Sequence, residues 1–364
     1  MLNSLHIKNF RCFDDLQIKS LGRVNLIVGK NNVGKSSLLE AMATFSMCQS
    51  ISDRSSATNY LGQSLDFMIS RRGGSVDVDE AQLATGAKLT YFQYQALEGP
   101  TVIGDEDSKI QLEFIDNKAN NLNDFLFWGY KITVNSREYS FGFNQSLELI
   151  PEVSASGDIK STLSNALNRY RKNYSFCDSN LSTPNQLSKQ LDLIKIEGEK
   201  NQLIDCLKLI DERIEDIDFV SSESNSSHKA GILTLRGKRP EPLKKFGDGV
   251  SRLLKIMLHA YQAKKGYLLI DEFENGLHYS IQEDAWKKLL ELAEELDIQV
   301  FATTHSQDTI KSFCKVAVEN EQIDGKLISL GHSAKTSNKD QIVAVEFDED
   351  QLKSFIDSGM EVRG

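Results

Sequence analysis

The run Gly29-Lys30-Asn31-Asn32-Val33-Gly34-Lys35-Ser36 places two glycines, a lysine and a hydroxyl at the spacing GxxxxGK[ST]. Glycine lets the backbone wrap closely, so successive N–H groups face phosphate oxygens at the start of a helix. Gly29, Asn31, Asn32, Gly34, Lys35, Ser36 and Ser37 are therefore candidate nucleotide-binding residues. Lys35 carries charge for the β- and γ-phosphates, and the Ser36 hydroxyl is a candidate ligand for Mg²⁺. Much later, Asp271-Glu272 ends the apolar run Leu268-Leu269-Ile270. Two carboxylates at the end of such a strand would lie beside a phosphate loop. Asp271 is then a metal ligand, and Glu272 the base that takes a proton from an attacking water. His305 follows the next apolar run, Val300-Phe301-Ala302, and the pair Thr303-Thr304, a position from which it could reach the same phosphate. Phe246-Gly247-Asp248-Gly249-Val250-Ser251-Arg252 opens a helix, and Gly247, Gly249 and Ser251 offer a second anion-binding helix start.

These residues need elements to hold them. Residues 5–10 alternate apolar and polar as a strand does, Asp14-Asp15 reads as a turn, and residues 16–18 as a second short strand. Residues 24–28 form an apolar, β-rich run that stops at Gly29, and a helical pattern opens at Ser36. Strand, glycine loop and helix give the motif its context. In the middle, residues 110–114, 130–134 and 139–143 read as strands, and 162–173 and 185–214 as helices, the second punctuated by Gly198. Residues 217–220 and 231–235 read as paired strands around a Ser-rich linker, 221–227. The pattern then becomes regular: helix 252–261, strand 267–270, helix 280–296 and strand 300–302. Two strand candidates, 326–330 and 342–347, and a short helix close the chain.

The chain has 364 residues, 40% apolar, which suits one large or two modest domains. Lys plus Arg is 42 and Asp plus Glu 52, a net charge of −10, with a pI near 5.3. That balance argues against a duplex-DNA clamp. The basic clusters Arg169, Arg171, Lys172 and Arg236, Lys238, Arg239, Lys244, Lys245 read as solvated faces. The five cysteines are scattered without a CxxC pair, against a zinc site or a disulfide framework. No run reaches the roughly 18 apolar residues of a membrane helix, and the start is no signal peptide. The expectation is a soluble, cytoplasmic protein with no membrane partner.

The order of motifs resembles ABC-type ATPase heads of the OLD/RecF/SMC-like branch, and most closely the small bacterial AAA15-type ATPases. The fragments that carry the likeness are residues 7–13, Gly247-Asp248-Gly249-Val250, Asp271-Glu272-Phe273-Glu274-Asn275-Gly276-Leu277-His278 and residues 358–363. The resemblance implies an α/β P-loop NTPase fold, an ABC-type head with a mixed β-sheet and an inserted helical and β lobe. It implies a core from residues 1–50 and 240–320, an insertion over 51–239, and a strand pair and helix over 321–364. It also implies an ATP sandwich, a homodimer or higher homo-oligomer in which Gly247, Gly249 and Ser251 act on the nucleotide of the other subunit. Gly247 stands where the transporter signature has Ser, and Asp248 where it has Gly. The loop Asn275–His278 would face the second subunit, and Gln93 and Gln95 are the candidates for a glutamine loop. Related OLD-type proteins carry a Toprim nuclease domain; too little chain follows His305 for one, and Asp348-Glu349-Asp350 reads as a helix cap. Any nuclease would be a separate effector protein. The reading adopted is a Mg²⁺-dependent ATPase acting as the sensor subunit of a bacterial anti-phage defence or genome-surveillance complex. A RecF-like ATPase that binds nucleic acid and an ATP-dependent scaffold with negligible turnover are the alternatives.

Overall fold

The computed structural model describes residues 1–49, 99–116, 128–134, 136–143, 149–151, 174–180, 182–222, 225–319, 324–334, 341–347 and 350–353. A six-stranded mixed sheet forms its centre. The sheet contains β3 (Val24–Gly29), β9 (Tyr174–Cys177), β13 (Tyr267–Ile270), β14 (Gln299–Thr303), β15 (Gly325–His332) and β16 (Ile342–Phe347), in the order β16-β15-β3-β14-β13-β9. Only β16 runs antiparallel to its neighbour. Side chains alternate between the two faces of a strand, and the sheet buries both. Val24, Leu26, Leu268, Ile270, Val300 and Ala302 enter one apolar core, whereas Ile27, Leu269, Phe301 and Ile328 enter the other. That two-sided burial explains why these strands read as continuous apolar runs.

The first core is closed by three helices of the C-terminal half, α4 (Gly247–Gln262), α5 (Tyr279–Glu295) and α6 (Gln307–Glu319). Two others, α2 (Pro184–Glu197) and α3 (Lys200–Leu207), pack there too. The second core lies under a seven-stranded antiparallel sheet. That sheet begins with β1 (Leu5–Phe10), β2 (Phe13–Ile18), β4 (Thr101–Gly104) and β5 (Lys109–Asp116), and ends with β6 (Trp128–Val134), β7 (Arg137–Phe143) and β8 (Leu149–Pro151). Between the two sheets runs α1 (Lys35–Gln49). Because it is covered on both sides, nearly all its residues are buried, including Leu38, Leu39, Met42 and Phe45.

Several local expectations change. The first hairpin turns at Arg11-Cys12 rather than Asp14-Asp15, since Phe10 pairs with Phe13 and Lys8 with Asp15. Turning between the two phenylalanines buries both. The helical stretch from 185 breaks at Gly198 in the left-handed region (φ 78) and does not extend to Ile214. Ile214 instead pairs with Leu235. The Ser-rich segment is largely strand, because β10 (Ile214–Ser222) and β11 (Asn225–Leu235) run into it from both sides. With β12 (Glu241–Pro242) they form a third sheet. The span 51–239 contributes to both large sheets: β4 pairs with β1, and β9 with β13. The expected helix 162–173, Gln93, Gln95, Arg169, Arg171, Lys172 and residues 358–363 lie outside the described residues. No described helix is long and apolar enough to cross a membrane.

Candidate functional site

In a parallel sheet, ligands collect at the carboxyl ends of the strands. Here β3 delivers Gly29, β13 delivers Asp271 and Glu272, and β14, which lies between them, delivers Thr303 and then His305. The sheet order thus joins motifs far apart in sequence.

The loop from β3 to α1 has Gly29, Asn32 and Gly34 at positive φ (143, 68 and 88). Gly34 has a second constraint, because a Cβ there would lie 2.6 Å from Cys12 Sγ and 2.7 Å from Phe13 Cζ. The first hairpin therefore presses on the loop, and this requires glycine on both conformational and steric grounds. Arg11, in the same hairpin, forms a buried ion pair with Glu40 of α1. Lys35 Nζ donates to Gly29 O and Lys30 O, each at 2.7 Å, and so braces the loop from inside. Burial pulls the Lys35 pKa below the usual lysine value, against the opposing charges of Asp271, Glu274 and Glu272.

The acidic turn meets that loop. Ser36 Oγ donates to Asp271 Oδ1 at 3.2 Å, and Thr303 Oγ1 donates to the same oxygen at 2.9 Å. Thr303 Oγ1 also accepts from Glu272 N at 2.9 Å. Glu272 has φ 51, in the left-handed region that non-glycine residues seldom adopt. Such strain persists only where surrounding contacts over-determine it, and Arg252 supplies them. Its guanidinium donates to Asp271 O (2.8 Å), Glu272 O (2.7 Å) and Asp178 O (2.6 Å). Lys255, three residues on and so on the same helix face, donates to Asn180 O at 2.5 Å and pairs with Asp178. The helix that begins at Gly247 is thereby tied to the turn carrying Glu272. Gly249 packs at its start against Gly276, where an added Cβ would lie 3.2 Å from the carbonyl oxygen.

Ser36 and Asp271 make a hard-oxygen donor pair of the kind Mg²⁺ takes. Among the described residues no group of three or more His, Cys, Asp or Glu could hold a metal. Two oxygen donors leave the other positions of such an ion to phosphate and water. His305 is exposed, with its backbone N–H held by Glu274 Oε1 at 2.8 Å. Gly247, Gly249 and Ser251 stand at the N-terminal end of α4, with Gly247 exposed. Thr303, Arg252, Lys255 and Glu274 were not among the candidates read from sequence. Arg252 and Lys255 did leave a signal, two cations three residues apart beside the apolar residues Leu253, Leu254, Ile256, Met257 and Leu258.

A separate cavity of about 550 Å³ lies away from this loop, lined by Tyr174, Ser175, Gln190, His259 and Gln262 among others, with no Lys or Arg among the described residues of its walls. Ser175 Oγ and His259 Nδ1 are 2.7 Å apart, and Gln190 Nε2 donates to Gln262 Oε1 at 3.2 Å.

Two family models match separate stretches of the chain. Residues 1–126 match the family model "AAA ATPase domain". Residues 160–310 match "AAA domain, putative AbiEii toxin, Type IV TA system". The chain is 26% identical over 345 residues to an "ATP/GTP phosphatase" of Helicobacter pylori, covering 88% of this chain and 90% of that protein. A stretch of 45 residues is 53% identical to an uncharacterized Methanocaldococcus jannaschii protein, covering 12% of this chain and 20% of that one. Among solved structures, an SMC head bound to the C-winged helix domain of ScpA covers 97% of this chain and 99% of its own, at 11% identity and a TM-score of 0.47. The SMC head domain from Thermotoga maritima covers 95% and 99%, at 13% identity and a TM-score of 0.42. Both family models are ATPase-type AAA domains, and with the loop at Gly29–Ser36 on a mixed α/β fold they define a P-loop ATPase.

Proposed function

We propose that the chain binds ATP with Mg²⁺ at the Gly29–Ser36 loop and hydrolyses it when two copies close around the nucleotide. The observation that carries this is the convergence of Ser36 and Thr303 on one carboxylate oxygen of Asp271 beside the Gly29–Ser36 loop. Lys35 would leave its two carbonyl acceptors to take up phosphate oxygens, with the main-chain N–H groups of Asn31, Asn32, Gly34 and Ser37 around them. Ser36 and Asp271 would hold Mg²⁺, which when bound offsets phosphate charge. Glu272, fixed by Thr303 and Arg252, orients and deprotonates the water. His305 approaches the γ-phosphate from the neighbouring strand end. Gly247, Gly249 and Ser251 contact the nucleotide of the second subunit, mainly through backbone N–H groups.

Beyond the ATPase, we assign the chain to an anti-phage defence or genome-surveillance complex with a separate effector nuclease. The family description matched by residues 160–310 names a putative toxin of a type IV TA system, a two-component setting that fits a chain acting with a separate partner. The nucleic-acid reading finds less support, since Arg236 pairs with Glu215 at 3.3 Å and Lys245 with Glu241 at 3.7 Å. Light scattering on the Glu272→Gln protein tests the closure: a dimer that forms with ATP and Mg²⁺ is expected, and a strict monomer would overturn it. Affinity capture from the native cell, with the captured proteins assayed for nuclease activity, tests the assignment. Capture of no nuclease would remove the effector.

A further inference from the structure

We propose that Glu274 is a positioning residue that holds His305 in place by a single hydrogen bond, a role that rests on His305 acting at the phosphate. Its own placement is rigid. Phe273 N donates to Thr303 O at 2.9 Å, and the Phe273 ring stacks on Trp286 at 3.7 Å between centroids. On the other side Asn275 Nδ2 donates to Ser179 O at 2.7 Å, and Leu277 N to Glu274 O at 2.8 Å. The Glu274 backbone is thus fixed on both flanks.

The side chain bridges two strand ends. Glu274 Oε1 accepts from His305 N at 2.8 Å, while Oε2 is buried with no hydrogen-bond partner among the described residues. His305 sits in the short link between β14 and α6. The link is pinned before it by Thr304 N donating to Ile27 O (3.2 Å), and after it by Thr309 N donating to Ser306 Oγ (3.4 Å). The Glu274 bond fixes the peptide between those pins. A partly buried carboxylate with one oxygen unpaired is a poor device for stability, because its desolvation is only half compensated. Its value therefore lies in where it puts His305. The negative charge also faces Lys35, opposing the effect of burial on that lysine. Charge and hydrogen bond are two separable accounts.

The experiment compares Glu274→Ala and Glu274→Gln for kcat, KM and Tm, together with His305→Ala and the double variant. Glutamine keeps an acceptor oxygen and removes the charge. The positioning role predicts that alanine lowers kcat about tenfold, the scale of a modest misplacement at a reacting centre. KM and Tm should hold, and glutamine should restore kcat to within about threefold. The alanine effect should vanish in the His305→Ala background, because both changes disable the same group. Equal loss in glutamine and alanine variants would overturn the proposal in favour of charge, and a fall in Tm matching the loss of kcat would overturn it in favour of a structural role. If His305→Ala alone leaves turnover unchanged, the His305 reading itself fails. If His305→Ala is impaired and Glu274→Ala is not, only the Glu274 role fails.

Discussion

Two buried polar clusters share strand β9 and helix α4, and they are built on opposite terms. At the N-terminal end of α4, Arg252 and Lys255 bind backbone carbonyls beside Asp271, Lys35 and Ser36, so the cluster is charged. At the other end, Ser175, Gln190, His259 and Gln262 bond mainly to one another, and burial pushes His259 down to about 3, which keeps it neutral. In the charged cluster Lys35 donates to its own loop, and in the proposed function phosphate oxygens take the place of those two carbonyls. The neutral cluster bonds mainly within itself along the wall of the cavity, with Gln190 Oε1 buried and unpaired among the described residues. Preorganised charge suits a site that receives a polyanion, whereas a neutral hydrogen-bonded network ties helix to strand. Changes in the first should therefore alter ligand binding and turnover, and changes in the second stability and its pH dependence.

The largest effect should come from Lys35→Ala. Two charge-assisted hydrogen bonds to phosphate are lost, each about 1.5–3 kcal/mol, so affinity for ATP should fall by about 10² or more. Equilibrium binding measures this; retained affinity would break the assignment of the charged cluster. Because burial already lowers the Lys35 pKa, wild-type affinity should also decline with rising pH before the ordinary lysine value is reached.

Next comes acid stability. His259 has a folded pKa of about 3 against about 6.5 unfolded. The unfolded chain therefore takes up the proton first. Stability is full above pH 6.5 and is lost as pH falls through the window toward 3, by about 2 kcal/mol at pH 5. Urea melts at pH 7.5 and pH 5 should show this loss in the wild type, and much less of it in His259→Gln. An equal loss in both would mean that the acid sensitivity arises elsewhere.

The smallest of the three is Arg252→Lys. A lysine cannot span three carbonyls as the guanidinium fork does. The turn carrying Glu272 should relax and kcat fall about tenfold with nucleotide affinity unchanged. Loss of affinity instead would place Arg252 in binding rather than in the geometry of the acidic turn.

What could be read in the sequence was whatever is local. The phosphate loop, Asp271-Glu272 and the strand before His305 each lie within a few consecutive residues, and the continuous apolar runs of β3, β13 and β14 mark strands buried on both faces. Thr303 was visible only as part of a polar stretch. Arg252 and Glu274 were not identified, because their partners are backbone groups of Asp178, Asp271, Glu272 and His305, reached only after the chain folds. The Asp14-Asp15 turn misled because charge was read as a turn signal, while the burial of Phe10 and Phe13 set the hairpin. Ile214 was assigned to a helix because its apolar spacing did not show that Leu235 awaits it across a sheet.

In the proposed function Glu272, held in a left-handed backbone by Thr303 and Arg252, is the base for hydrolysis at a nucleotide bound by the Gly29–Ser36 loop. A single-turnover assay with radiolabelled ATP and Mg²⁺, comparing wild type with Glu272→Gln at equal nucleotide occupancy, measures this without interference from product release. The account predicts equal binding and cleavage slower by about 10² or more in the variant. Equal cleavage rates at equal occupancy would contradict it.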